Sequence, residues 1–142
     1  MAEIYVDMSE AVNLDPIDNG VYEAILEAEP ESFEAEDSKI PCLKWTCTIA
    51  DIEGQETVKG RQLFRNTPLV GKGAGFTELM LEGFQVKYAA EGEGNTRSVR
   101  FKTEDCVGKR ALIEVTQRSY TDKKTNAERI VNDIKRVIPL AA

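Results

Sequence analysis

The chain has 142 residues, 42% apolar and 30% charged, which is enough to bury one core and too apolar for a disordered segment. It contains no histidine, which removes Ser-His and Cys-His nucleophile pairs and the commonest general base, so no enzyme, cofactor or metal site is expected. The net charge of −7 is uneven: residues 1–56 carry 15 acids against two bases, whereas residues 57–142 carry 16 bases against 10 acids, so an anionic partner is not excluded.

Residues 1–19 read as an arm, 20–142 as the domain. The arm has no sustained periodicity and includes the turn formers Asp15-Pro16-Ile17-Asp18-Asn19. Its apolar residues Ile4, Val6, Val12 and Leu14 are expected to pack across a sheet edge. MAEIYVDMSE lacks the cationic and apolar regions of a signal peptide, and no apolar run approaches the roughly 18 residues of a membrane span, so a cytoplasmic protein is expected.

From Val21 to Glu29, Tyr22, Ala24, Leu26 and Ala28 alternate with acidic positions, the period of a half-buried strand. An acidic loop, Pro30 to Ser38, follows. The second strand, Cys42 to Ile52, places Leu43, Trp45, Cys47 and Ile49 on one face and Lys44, Thr46 and Thr48 on the other. Trp45 has only apolar neighbours at spacing two, so it reads as core rather than as a base-stacking platform. Cys42 and Cys47 fall on opposite faces, and three cysteines suit a reducing compartment.

The third strand is expected over Thr57 to Asn66, with a basic face of Lys59, Arg61, Leu63 and Arg65 and with Phe64 opposite; Gly60 suggests a bulge or a close backbone approach. Gly71, Gly73 and Gly75 recur every second residue and match neither phosphate-loop pattern, so they read as a flexible link. Phe76, Leu79, Met80 and Phe84 then recur at helical spacing, with Thr77 as N-cap and Gly83 as stop. Arg97 to Lys102 is a basic strand or loop.

The last stretch carries the most functional content. Arg110 to Tyr120, with Ala111, Ile113 and Val115 alternating with Leu112, Glu114 and Thr116, and Glu128 to Ile138 form the fourth and fifth strands of a long hairpin. Between them lies a polar segment with Arg118, Tyr120, Lys123 and Lys124, and Arg129 begins the return. A ring flanked by cations on an extended loop suits a single nucleic-acid strand, because bases stack on the ring while cations meet phosphates; the alternative is an ordinary solvated turn.

Three strands, one short helix and two strands is the order of a five-stranded Greek-key OB-fold barrel, whose strand 2–3 face and loops bind oligonucleotides. The hairpin tip and the strand-three cluster then line one groove. The candidate nucleic-acid-binding residues are Lys59, Arg61, Phe64, Arg65, Arg118, Tyr120, Lys123, Lys124 and Arg129.

Gly20-Val-Tyr22, Leu43-Lys-Trp45, Lys59-Gly60-Arg61-Gln-Leu-Phe64, Asp105-Cys-Val-Gly108-Lys109 and Asn132-Asp-Ile-Lys135 together resemble a family of small bacteriophage proteins. The resemblance covers roughly residues 16–139. It implies an OB-fold, sequence-nonspecific binding of single-stranded DNA in phage replication or recombination, and a location in the host cytoplasm. Expected partners are single-stranded DNA, phage or host replication proteins and a further copy of the chain. Many single-stranded DNA-binding proteins end in an acidic tail, whereas this chain ends in RVIPLAA, leaving the acidic segment from Glu29 to Asp37 as the substitute for recruitment. The competing expectation is a non-catalytic protein-interaction or virion-assembly module that uses its acidic N-terminal half.

Overall fold

Alternating apolar residues build the central strands of the sheet. The computed structural model describes residues 2–7, 15–94 and 97–140. Among these the strands are β1 (Gly20–Ile25), β2 (Glu31–Glu34), β3 (Pro41–Ile49), β4 (Gln62–Pro68), β5 (Ala89–Glu91), β6 (Ser98–Arg100), β7 (Arg110–Thr121) and β8 (Glu128–Pro139), with one helix, α1 (Gly75–Gly83). No helix among the described residues is long and apolar enough to cross a membrane.

Six strands form one antiparallel sheet, running from β4 through β3 to β1 and β2, which share the far edge of β3, and on through β7 to β8. β5 and β6 form a separate two-stranded ribbon. The mainly β class with one short helix between the third and fourth long strands agrees with expectation. The number of strands does not, because the segment expected as an acidic loop contains β2, and because Ala89–Glu91 pairs with Ser98–Arg100. No ladder joins β4 to β8 among the described residues, so the sheet is not a closed barrel.

Trp45, Cys47 and Ile49 of β3, Leu63 of β4, Ala24 of β1, Ile113 and Val115 of β7 and Ile134 of β8 line the inner side of the sheet. Trp45 is fully buried, as its apolar neighbours implied, and its indole Nε1–H donates to Thr67 Oγ1 at 2.8 Å. Helix α1 covers this core with Met80 and Leu81, followed by Phe84. Gly83 is where the helix comes closest: a Cβ there would lie 2.3 Å from Val137 Cγ1.

Two expectations for the helix fail. Thr77 lies inside α1, not at its cap, and its hydroxyl is 2.8 Å from Thr67 Oγ1 and donates to the Pro68 carbonyl at 2.7 Å. With that hydroxyl satisfied, the face packed on the sheet is Thr77, Met80, Leu81 and Phe84, and Phe76 and Leu79 turn outward, 51% and 53% exposed.

The arm differs too. Ile4 and Val6 are 84% and 70% exposed instead of lying on a sheet edge, while Val12 and Leu14 fall outside the described residues. Ile17 is the residue that anchors. It is buried, its N–H donates to Asn132 Oδ1, and its carbonyl accepts from Asn132 Nδ2 and Gln117 Nε2.

Candidate nucleic-acid interface

The third long strand starts later than expected. Thr57 to Gly60 is a turn, held by Gln55, whose buried side chain accepts from the Glu23 N–H at 2.7 Å and donates to the Glu23 and Ala50 carbonyls. Gly60 has φ of 81° and donates to the Ile49 carbonyl, while the Ile49 N–H donates to the Arg61 carbonyl. Two residues thus oppose one, which is the bulge the glycine suggested; it needs the left-handed conformation that glycine adopts without strain. Lys59 therefore leaves the basic strand face and lies in the turn, 3.6 Å from Asp51.

Beyond the bulge, Leu63, Arg65 and Thr67 share the inner phase of β4, and Gln62, Phe64 and Asn66 the outer. Register pairs Phe64 with Thr46 and Asn66 with Lys44. Lys44 Nζ sits 4.6 Å from the centroid of the half-exposed Phe64 ring, a cation–π contact on the outer surface. Arg65 is half-buried beneath α1: its Nη1 donates to Met80 Sδ at 3.7 Å and its guanidinium lies 5.6 Å from the Phe76 centroid. Burial holds its pKa below the ordinary arginine value. Cys47, beside it, is pushed up to about 12 by desolvation and is therefore a core thiol rather than a nucleophile.

The unpaired edge of β4 faces the β7–β8 hairpin across an open seam. A cleft of about 500 Å3 is lined by Phe64, Arg65 and Asn66 on one wall and by Thr116, Arg118, Asp133, Ile134 and Lys135 on the other. A second cleft of about 260 Å3 continues it past Phe64, with Arg61 on one side and Ile130 to Asn132 on the other. Phe64 is common to both, so Arg61, Phe64, Arg65 and Arg118 lie along one continuous groove. The hairpin extends this group: Tyr120 lies 5.9 Å from the Arg118 guanidinium and faces Arg129 in the ladder.

Electrostatics divides the candidates. Arg118 Nε donates to Asp133 Oδ2 at 2.7 Å, and that carboxylate holds the guanidinium pKa above its ordinary value. Arg129 lies 3.3 Å from Asp122, so with Lys59 three of the candidate nucleic-acid-binding cations already have a counterion. Arg61, Arg65, Lys123 and Lys124 have no carboxylate within 4 Å among the described residues. The two lysines ride the hairpin turn, which Asp122 stabilises by accepting from the Lys124 N–H at 2.9 Å and which Asn126 closes with φ of 58°.

Residue-by-residue reading of the sequence passed over Lys44 and Phe33. Phe33 pairs with Cys42 and is 38% exposed on the same outer surface as Lys44 and Phe64. The period-two pattern puts Lys44 on that surface, but only the pairing register brings it to Phe64.

The sequence matches no protein-family model, and comparison with curated proteins returns no relative.

Proposed function

We propose that the protein is a non-enzymatic, sequence-nonspecific single-stranded DNA-binding protein of OB-fold type, acting in phage DNA replication or recombination. The order β4–β3–β1–β7–β8, with α1 inserted before β7, supports the OB-fold reading as an opened variant of the five-stranded arrangement, in which β2 continues β1 along β3. The observation that carries the functional reading is the groove between β4 and the hairpin, where the exposed Phe64 ring lies between Arg61, Arg65 and Arg118.

In this reading bases unstack onto Phe64 and Tyr120, while Arg61, Arg65, Lys123 and Lys124 meet the phosphates and Lys44 extends the path across the sheet. Arg118 and Arg129 keep their carboxylate partners and line the path without neutralising phosphate. Stacking on a ring contributes about 1–3 kcal/mol per base with little sequence preference. Fluorescence anisotropy with labelled oligo-dT at low salt is the test. Phe64→Ala and Tyr120→Ala should each weaken binding by about 5- to 150-fold, and Tyr120→Ala with Lys123→Ala and Lys124→Ala should also flatten the salt dependence. Unchanged affinity in these variants overturns the assignment.

One observation favours a different class. β2 is an edge strand with all four residues exposed, including Glu31 and Glu34, which suits docking of a basic protein partner on an acidic rim. Absence of oligonucleotide binding at micromolar protein would favour that interaction module.

A further inference from the structure

We propose that the N-terminal segment of one chain docks on helix α1 of a second copy, so that the protein associates by exchanging arms. Two exposed apolar features of the chain do not meet within it. The first is the segment Glu3-Ile4-Tyr5-Val6-Asp7, in which Ile4 and Tyr5 are 84% and 94% exposed. The second is the outer stripe of α1, where Phe76 and Leu79, one turn apart, line a shallow groove of about 350 Å3 with Lys72 and Gly75. A tyrosine ring and a neighbouring aliphatic side chain are of the size such a groove accepts, and burying them removes apolar surface from water on both sides.

Charge selects the pairing. The apolar triplet is preceded by Glu3, whereas the groove is flanked by Lys72 and by the Arg65 guanidinium over Phe76. Of the other landing sites for an extended segment, the unpaired edge of β4 is the wall of the groove assigned to the DNA strand, and the unpaired edge of β2 carries Glu31 and Glu34, of the same sign as the arm, where like-charge juxtaposition is unfavourable. Reciprocal exchange between two copies uses the same patch on both and closes as a dimer. This contact forms without DNA, and it has Arg65 in common with the groove between β4 and the hairpin.

The experiment is light scattering on the DNA-free full chain across a concentration series. A species of twice the 15.8 kDa chain mass is expected, and a chain that stays monomeric at every concentration overturns the proposal. Ile4→Ser with Tyr5→Ser, and separately Leu79→Ser, should each raise the dissociation constant about tenfold or more, as expected when a central apolar anchor is lost. An unchanged dimer in either variant overturns it. Lys72→Glu should weaken association and Glu3→Lys in the same chain should restore it; failure of that rescue excludes the arm as the occupant. Because these residues are exposed, an unchanged far-ultraviolet circular dichroism spectrum checks that each variant is folded.

Discussion

Thr67 shows how one buried hydroxyl couples the sheet to the helix. It is fully buried, accepts the Trp45 indole N–H at 2.8 Å, and lies 2.8 Å from the Thr77 hydroxyl. Thr67→Val keeps the shape but strands the indole N–H in the core, a loss of about 1–3 kcal/mol. Thr67→Ser keeps the hydroxyl and removes one methyl, about 1 kcal/mol. Urea denaturation should therefore rank the valine variant below the serine variant, and the reverse order would show that packing, not the hydrogen bond, dominates at this site. Trp45 itself was legible in the sequence as core because its neighbours at spacing two are apolar. Its partner was not, since nothing local in Asn66-Thr67-Pro68 announces a contact with a residue 22 positions away.

Among the elements, the β7–β8 hairpin has two halves with different physics. Its root buries Ala111, Ile113, Val115 and Ile134, while from Gln117 to Ile130 every side chain is exposed or half-exposed. Amide exchange should then protect Ala111 to Val115 strongly and leave Arg118 to Thr121 open to faster exchange, with single-stranded DNA slowing only the outer set. Uniform protection along both strands would mean that the tip is held by something other than its own ladder. This hairpin was legible because alternation at Ala111, Ile113 and Val115 is strong and the polar turn between the strands is long. The start of β4 was not: Thr57-Val-Lys has strand-like composition, but Gln55 ties the turn to the Glu23 and Ala50 backbone, and such long-range bonds leave no periodic trace. The helix stripe failed likewise. Phe76 and Leu79 fit helical spacing as well as Met80 and Leu81 do, and the face that packs is the one that also carries Thr77, bonded to the Pro68 carbonyl.

At the scale of the whole molecule, a chain of net charge −7 must attract phosphate through local surplus, and cross-strand register determines how much surplus there is. The sequence shows basic residues concentrated after residue 57, but not that Asp133 reaches Arg118, Asp122 reaches Arg129 and Asp51 reaches Lys59. Those pairs make the difference measurable. Single-stranded binding loses about 0.7 in logarithmic salt slope per neutralised phosphate, so Lys44, Arg61, Arg65, Lys123 and Lys124 predict a slope of about −3 to −4, whereas adding the three paired cations would give about −5 to −6. Asp133→Asn removes the counterion from Arg118 in the wall of the groove, and should both tighten oligo-dT binding and steepen the slope by about 0.7. Asp51→Asn, which frees Lys59 outside both clefts, should change the slope by less. If the two substitutions act equally, the attraction is a diffuse property of the basic half, and the groove between β4 and the hairpin is not the path of the strand.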